Sequence, residues 1–423
     1  MNTNRLCGPL TRRAFLKAAG AAGAAAALAG CAGAPASSGP ADQPPQNAAT
    51  PAPAAVPPAE SYRGMWISYL EWQTVDFSSA EAFTAAVATM LDNCAALGLN
   101  TVIAQVRPFG DALYRSSLYP WSHLCTGEQG VDPGFDPLDI LLGEAHSRGL
   151  SLEAWVNPYR LRLNKKMPAA LAAENLCNTH PEWVAEVGDG LYLNPAEPDA
   201  AAYVVEGVRE LVERYAVDGV HFDDYFYPTT DESIDAAQFA QSGQSDRSAW
   251  RRANVTALVR AVYGAVKAAD PTLRFGISPQ GNPDNNYSQQ YSDVNAWLRA
   301  EGGPCLDYVC PQVYWGYHYT LKSGSTRFAF ENIVPEWLAL PRAEGVALYF
   351  GLGAWRIGDG DGGQNEDSQT QWNTGEALAA MIADLNDQGA DGYVLYRYGS
   401  LYGSAYPDLA AAECAAVAAA NGQ

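Results

Sequence analysis

The chain has 423 residues, 48% of them hydrophobic and 17% charged, with a formal net charge of −21. This composition suits one large folded domain or two ordinary ones and excludes a mainly disordered protein. The acidic balance argues against nucleic acid and anionic membrane surfaces as partners, and fits a neutral or weakly charged substrate.

Thr11-Arg12-Arg13-Ala14-Phe15-Leu16-Lys17 has the twin-arginine layout, followed by an Ala/Gly run too weakly apolar for a permanent membrane span. Leu28-Ala29-Gly30-Cys31 resembles a lipobox, so residues 1–30 are expected to be a lipoprotein signal, with cleavage before Cys31 and lipidation of its thiol. Cleavage would remove Arg5, Arg12, Arg13 and Lys17, leaving a charge near −25. Residues 31–60 are rich in Pro and Ala and lack periodicity, the composition of a disordered tether. An exported, membrane-anchored domain is expected. Cys94, Cys125, Cys177, Cys305, Cys310 and Cys414 follow the tether with no zinc-site spacing; Cys305 and Cys310 are near enough in sequence for a small disulfide loop.

From Tyr62 the pattern alternates between strand and helix. Arg63–Tyr69 is predicted as a first strand and Ala80–Leu97 as a helix stopped by Gly98. Thr101–Val106 is the second predicted strand; a long loop leads to a helix over Pro137–Arg148. Leu152–Val156 is the third, followed by a long loop to about Asn194 and a helix over Asp199–Tyr215. The fourth begins at Gly219, and a helix over Asp246–Ala269 closes at Asp270-Pro271. Arg274–Ser278, Tyr308–Val313 and Leu348–Leu352 are predicted as strands five to seven, with helices over Ser292–Arg299, Phe328–Arg342 and Gly375–Asp387. Tyr393–Arg397 is the eighth predicted strand and Asp408–Ala419 the last helix. Such a series predicts an α/β fold, a (β/α)8 TIM barrel over residues 61–423; a doubly wound open sheet is the competitor. Loops after the strands are long and those after the helices short, which marks the strand C-terminal face as the working face.

That face gathers a consistent set of side chains. The fourth strand runs straight into Asp223-Asp224-Tyr225, and two adjacent carboxylates at such a position have their proton affinities driven apart by burial and repulsion. The other strand ends contribute Tyr69, Gln105, Arg107, Asp111, Asn157, Tyr159, Arg160, Gln280, Gln312, Tyr314, Trp315, Trp355, Arg356 and Arg397. Aromatic faces suit sugar rings, and amides and guanidinium groups suit hydroxyl and acetamido groups. Glycan is therefore the expected ligand. No Gly-rich phosphate fingerprint follows a strand, so no nucleotide cofactor is expected. The five histidines have no metal-ligand spacing, and no GxSxG occurs. Asp359-Gly360-Asp361-Gly362-Gly363 loosely resembles a calcium loop without its helix–loop–helix frame; a plain acidic loop is the alternative.

The segments RGMWISY, QVRPFGDALYRSSLYPWS, EAWVNPYR, DGVHFDDYFYP, ISPQG and DYVCPQVYWGY resemble the bacterial glycosyl-hydrolase-like lipoproteins, whose barrel is similar to that of glycoside hydrolase family 10. The resemblance implies an envelope lipoprotein acting on glycan strands, with peptide-free peptidoglycan as substrate class. DGVHFD is also similar to the fourth strand of the amylase superfamily, which places the nucleophile at Asp223; the acid expected at the end of strand five is missing from Ser278-Pro279-Gln280. Glu153 stands where relatives more often carry His. Two catalytic arrangements follow. In one, Asp223 is nucleophile or base with Asp224 or Asp111 as acid. In the other, the substrate's own acetamido group assists, oriented by one Asp while its neighbour donates the proton. A non-catalytic glycan-binding lipoprotein is the competing function. A metal-dependent deacetylase lacks its ligand set.

Overall fold

The computed structural model describes residues 61–423; the expected signal, Cys31 and most of the tether lie outside them. Eight parallel strands close on themselves: β1 Tyr62–Ile67, β2 Thr101–Arg107, β3 Ser151–Val156, β4 Gly219–Phe222, β5 Arg274–Ile277, β6 Tyr308–Val313, β7 Ala347–Leu352 and β8 Gly392–Leu395. β1 pairs with both β2 and β8, which completes the barrel and removes every free edge. β6 is split after Val309 and resumes at Gln312, because Pro311 supplies no N–H to the ladder. Helices over Ala80–Ala96, Pro137–Ser147, Pro198–Arg214, Arg247–Ala269, Val294–Leu298, Phe330–Leu338, Ala377–Asp387 and Pro407–Ala420 follow the strands in turn.

Alternation along each strand builds two cores. Leu152, Ala154, Val220, Phe222, Phe275, Ile277, Phe350 and Leu395 point outward and bury against the helices. Tyr62, Trp66, Ile103, Trp155, Tyr308, Cys310, Tyr349 and Val394 fill the barrel. Large rings there need small neighbours: a Cβ at Gly276 would stand 2.0 Å from the Tyr308 ring, and one at Gly351 would stand 2.8 Å from Trp66. All six described cysteines are free. Cys305 lies in the outer core and Cys310 inside the barrel, so the strand wall separates the pair expected as a disulfide loop.

Two other departures matter near the working face. The loop after β3 carries a three-stranded antiparallel sheet, Arg160–Arg162, Gly190–Leu193 and Val184–Val187, in that order. Its hairpin turns at Gly188-Asp189, where Gly188 has φ +60°. The helix expected over 328–342 is confined to Phe330–Leu338, since Pro341 biases Leu340 away from helical geometry.

Candidate active site

β4 ends at Phe222, and its next two residues stand at the C-terminal mouth of the barrel. Asp223 and Asp224 are 4% and 8% exposed. Asp223 faces β3. Asn157 Nδ2 donates to its Oδ2, and the backbone N–H of Tyr225 donates to its Oδ1 at 3.2 Å. Asn157 is held in turn by Gln105 Nε2 and by Arg160 Nη2 (3.0 Å), while Gln105 Oε1 accepts from the Tyr69 N–H at 2.8 Å. Asp224 faces β6, where Gln312 Nε2 donates to its Oδ1 at 3.3 Å and to the Ser278 carbonyl at 2.9 Å.

The two environments differ in charge. Burial raises the Asp223 carboxyl above its usual range, while Arg160 and the hydrogen bonds from Asn157 and Tyr225 pull it back. Asp224 is pushed up to about 7, first by burial and then by the Asp223 charge; the amides of Gln280 and Gln312 only partly oppose this. At neutral pH the pair therefore favours one ionised and one protonated carboxyl, with the proton on Asp224.

Aromatic groups rim the pair. Tyr225 is 50% exposed and lies 5.6 Å from the Arg160 guanidinium. Tyr314 stacks on Tyr396 at 5.4 Å, and Trp355, 39% exposed, meets Tyr314 edge-on and rests 3.7 Å from the Arg356 guanidinium. Trp315 is half-buried against Phe328 at 5.0 Å, so its role is partly packing. Arg397 pairs with the buried Glu71, which also accepts from the Gly399 N–H at 2.9 Å and the Ser68 N–H at 2.7 Å. Asn282, in the loop after β5, caps the helix Pro283–Ser288.

Three expected site residues are elsewhere. Arg107 is buried and points out of the barrel, donating to the carbonyls of Asn157 (2.7 Å) and Pro158 (3.1 Å) and lying over the Tyr119 ring. Tyr159 is buried in the outer core, because the chain turns there into the strand Arg160–Arg162 and alternation sends Arg160 and Tyr159 to opposite sides. Asp111 is fully buried in the loop after β2, held by Gln129 and facing His123. Asp361 accepts from the N–H groups of Gly316 (2.8 Å) and Gly363 (3.0 Å), Ser368 Oγ (3.2 Å) and Gln369 Nε2 (2.8 Å), so it ties the loops after β6 and β7 together. No group of three or more potential metal ligands occurs among the described residues.

Two contributors escaped the sequence reading. Tyr396 directly follows β8 and packs with Val394 against the barrel interior, and the period-two pattern was its signal. Beneath the pair, His221 Nε2 accepts from Trp66 Nε1 (3.2 Å) and lies 2.9 Å from Ser278 Oγ, and its Nδ1 faces the Tyr308 hydroxyl at 2.8 Å. Tyr308 donates to Glu153, which pairs with Arg274 at 2.8 Å. Glu153 is thus a buried strut of the barrel interior.

A closed parallel barrel with paired carboxylates and aromatic rings at its C-terminal mouth defines the TIM-barrel glycoside hydrolase class of architecture. The profile of the glycosyl hydrolase-like 10 family matches residues 61–368, and the chain belongs to that family. It is 33% identical to the glycosyl hydrolase DigH of Escherichia coli (strain K12), over 84% of this chain and 88% of that one. It is 35% identical to the glycosyl hydrolase YngK of Bacillus subtilis (strain 168), covering 77% of this chain but only 65% of YngK. Its fold is similar to the PgaB (BpsB) glycoside hydrolase domain from Bordetella bronchiseptica (TM-score 0.52, 14% identity, 83% of this chain and 97% of that one). It is also similar to an endo-1,4-beta-mannanase from Rhizomucor miehei (TM-score 0.52, 11% identity, 86% and 95%).

Proposed function

We propose that this protein is a glycosidase of the bacterial cell envelope that cleaves N-acetylhexosamine-containing glycan strands, with peptide-free peptidoglycan as substrate. We further propose that it is exported and anchored through a lipidated Cys31. The observation that carries the catalytic reading is the buried Asp223–Asp224 pair, in which Asp224 is pushed up to about 7 while Arg160 and Asn157 partly offset the burial of Asp223. Asp224 is the proton donor to the leaving glycosidic oxygen. Asp223 orients the substrate's acetamido group, whose carbonyl oxygen attacks the anomeric carbon as the glycosidic C–O bond breaks. Water then opens the cyclic intermediate and returns a proton to Asp224. Two neighbouring residues at one strand end suit this route better than direct displacement, which needs carboxyls on opposite faces of the bond about 5 Å apart. Tyr225, Tyr314 and Trp355 supply flat faces for the sugar rings.

The test is digestion of purified peptide-free glycan strands followed by mass analysis. Shorter strands with new reducing ends are expected. Intact strands that co-sediment with the protein would instead support a glycan-binding lipoprotein.

A further inference from the structure

The loop between β2 and the helix Pro137–Ser147 holds a histidine–carboxylate pair that this mechanism does not use. Asp111 is fully buried; its Oδ2 accepts from Gln129 Nε2 at 2.9 Å and faces His123 Nδ1 at 3.3 Å. Its other oxygen, Oδ1, is enclosed and has no donor among the described residues. A buried carboxylate with so few donors leans on the imidazole, so the Nδ1–H of His123 points at Asp111 and one tautomer is fixed. Nε2 is left as an acceptor. It has no protein partner among the described residues and is not enclosed, and the side chain is 15% exposed.

Packed neighbours link the ring to the residues around the aspartate pair. The short helix His123–Thr126, capped by Ser122, touches the helix Tyr69–Trp72. His123 meets Phe109 at 5.5 Å; Phe109 meets Tyr69 at 5.5 Å and lies 5.1 Å from the Arg160 guanidinium, whose charge reaches Asp223. His123 therefore stands at the outer end of a row of rings that leads to the catalytic pair.

We propose that His123 contacts the glycan at a subsite away from the cleaved bond, its Nε2 accepting a hydrogen bond from a sugar hydroxyl. This deepens, and rests on, the glycan-cleaving reading of the same face. Asp111 is then a positioning residue that acts through His123, as carboxylates behind ligand-binding imidazoles do.

The test uses N-acetylhexosamine oligomers of two and six sugars. Their affinity is measured by calorimetry, which reads the contact separately from turnover, and KM and kcat are measured alongside. Loss of one neutral hydrogen bond weakens binding about three- to tenfold, so His123→Ala should raise Kd and KM for the six-sugar oligomer by that factor and shift them less for the shorter one. Its kcat should stay within about twofold, since the contact is away from the bond that breaks. His123→Gln, which can still offer an oxygen acceptor, should recover part of the loss. Asp111→Asn should reproduce the His123→Ala defect while the protein remains folded by thermal melt. A collapse of kcat in Asp111→Asn with KM unchanged would overturn the proposal and return Asp111 to the role of acid. Unchanged affinity in folded His123→Ala would overturn it in favour of simple packing.

Discussion

Asp224 holds its proton to about pH 7 because its carboxyl is buried and Asp223 repels its charge. The unfolded chain gives that proton up near pH 4, so between these values the folded state binds the extra proton and stability falls as pH rises. Asp224→Asn removes this dependence. It should leave the melting temperature little changed at pH 4 and raise it above pH 7, by up to a few kcal/mol of stability, on the order of the shift itself. His221 acts in the opposite direction. Burial lowers its pKa to about 3, so stability is lost as pH falls from about 6.5 through 3. Thermal melts of wild type and Asp224→Asn from pH 4 to 8 check the first effect; an unchanged pH slope would count against it. In catalysis, Asp223→Asn and Asp224→Asn should each lower turnover by about 10²–10⁴. The wild-type rate should fall above pH 7 as Asp224 loses its proton and again at low pH as Asp223 gains one, giving a bell that belongs to the pair.

At the level of elements, the loops that follow the strands divide the aromatic work. Trp355 is propped from one side by Arg356 and open on the other, whereas Trp315 is wedged against Phe328. Trp355→Ala should therefore weaken oligosaccharide binding by about 1–3 kcal/mol with a nearly unchanged melting temperature. Trp315→Ala should cost stability as well as affinity, and calorimetry beside thermal melts separates the two. The Arg397–Glu71 pair clamps the segment after β8 to the segment after β1, across the seam where the barrel closes. Arg397→Met leaves a buried Glu71 with only neutral donors, and should destabilise the protein by about 1–3 kcal/mol, read as a lower urea midpoint.

For the whole molecule, residues 62–423 form one compact unit. No helix among the described residues is long and apolar enough to cross a membrane. If Cys31 is the anchor, Cys31→Ala should move the protein from the membrane fraction to the soluble one while the barrel melts as before. Unchanged fractionation would sink the lipid anchor. Because the six described cysteines are free, a reducing agent should not shift the melting temperature.

Periodicity alone determined the eight strands and their alternation with helices, and loop length pointed to the strand C-terminal face. Local pattern follows from which side of each element must be buried, and that is written in neighbouring residues. It also placed Asp223, Asp224, Gln105, Asn157, Arg160 and Gln312 at one mouth, because strand ends in a barrel converge by topology. The hairpin at Gly188-Asp189 falls in a stretch expected as a plain loop, because its strands bury little of either face. What the tertiary structure decided is direction and partnership. Arg107 is two residues beyond Gln105 and would share its face on a regular strand, yet an irregularity in the β2–β3 ladder between them sends it outward. Asp111 follows a strand end closely, but the fold of its loop encloses it behind His123. Which of two adjacent aspartates keeps the proton rests on Arg160 reaching one and Gln312 the other, and those groups are distant in sequence. Charge and burial are summed over neighbours in space, so no local stretch of the chain contains them.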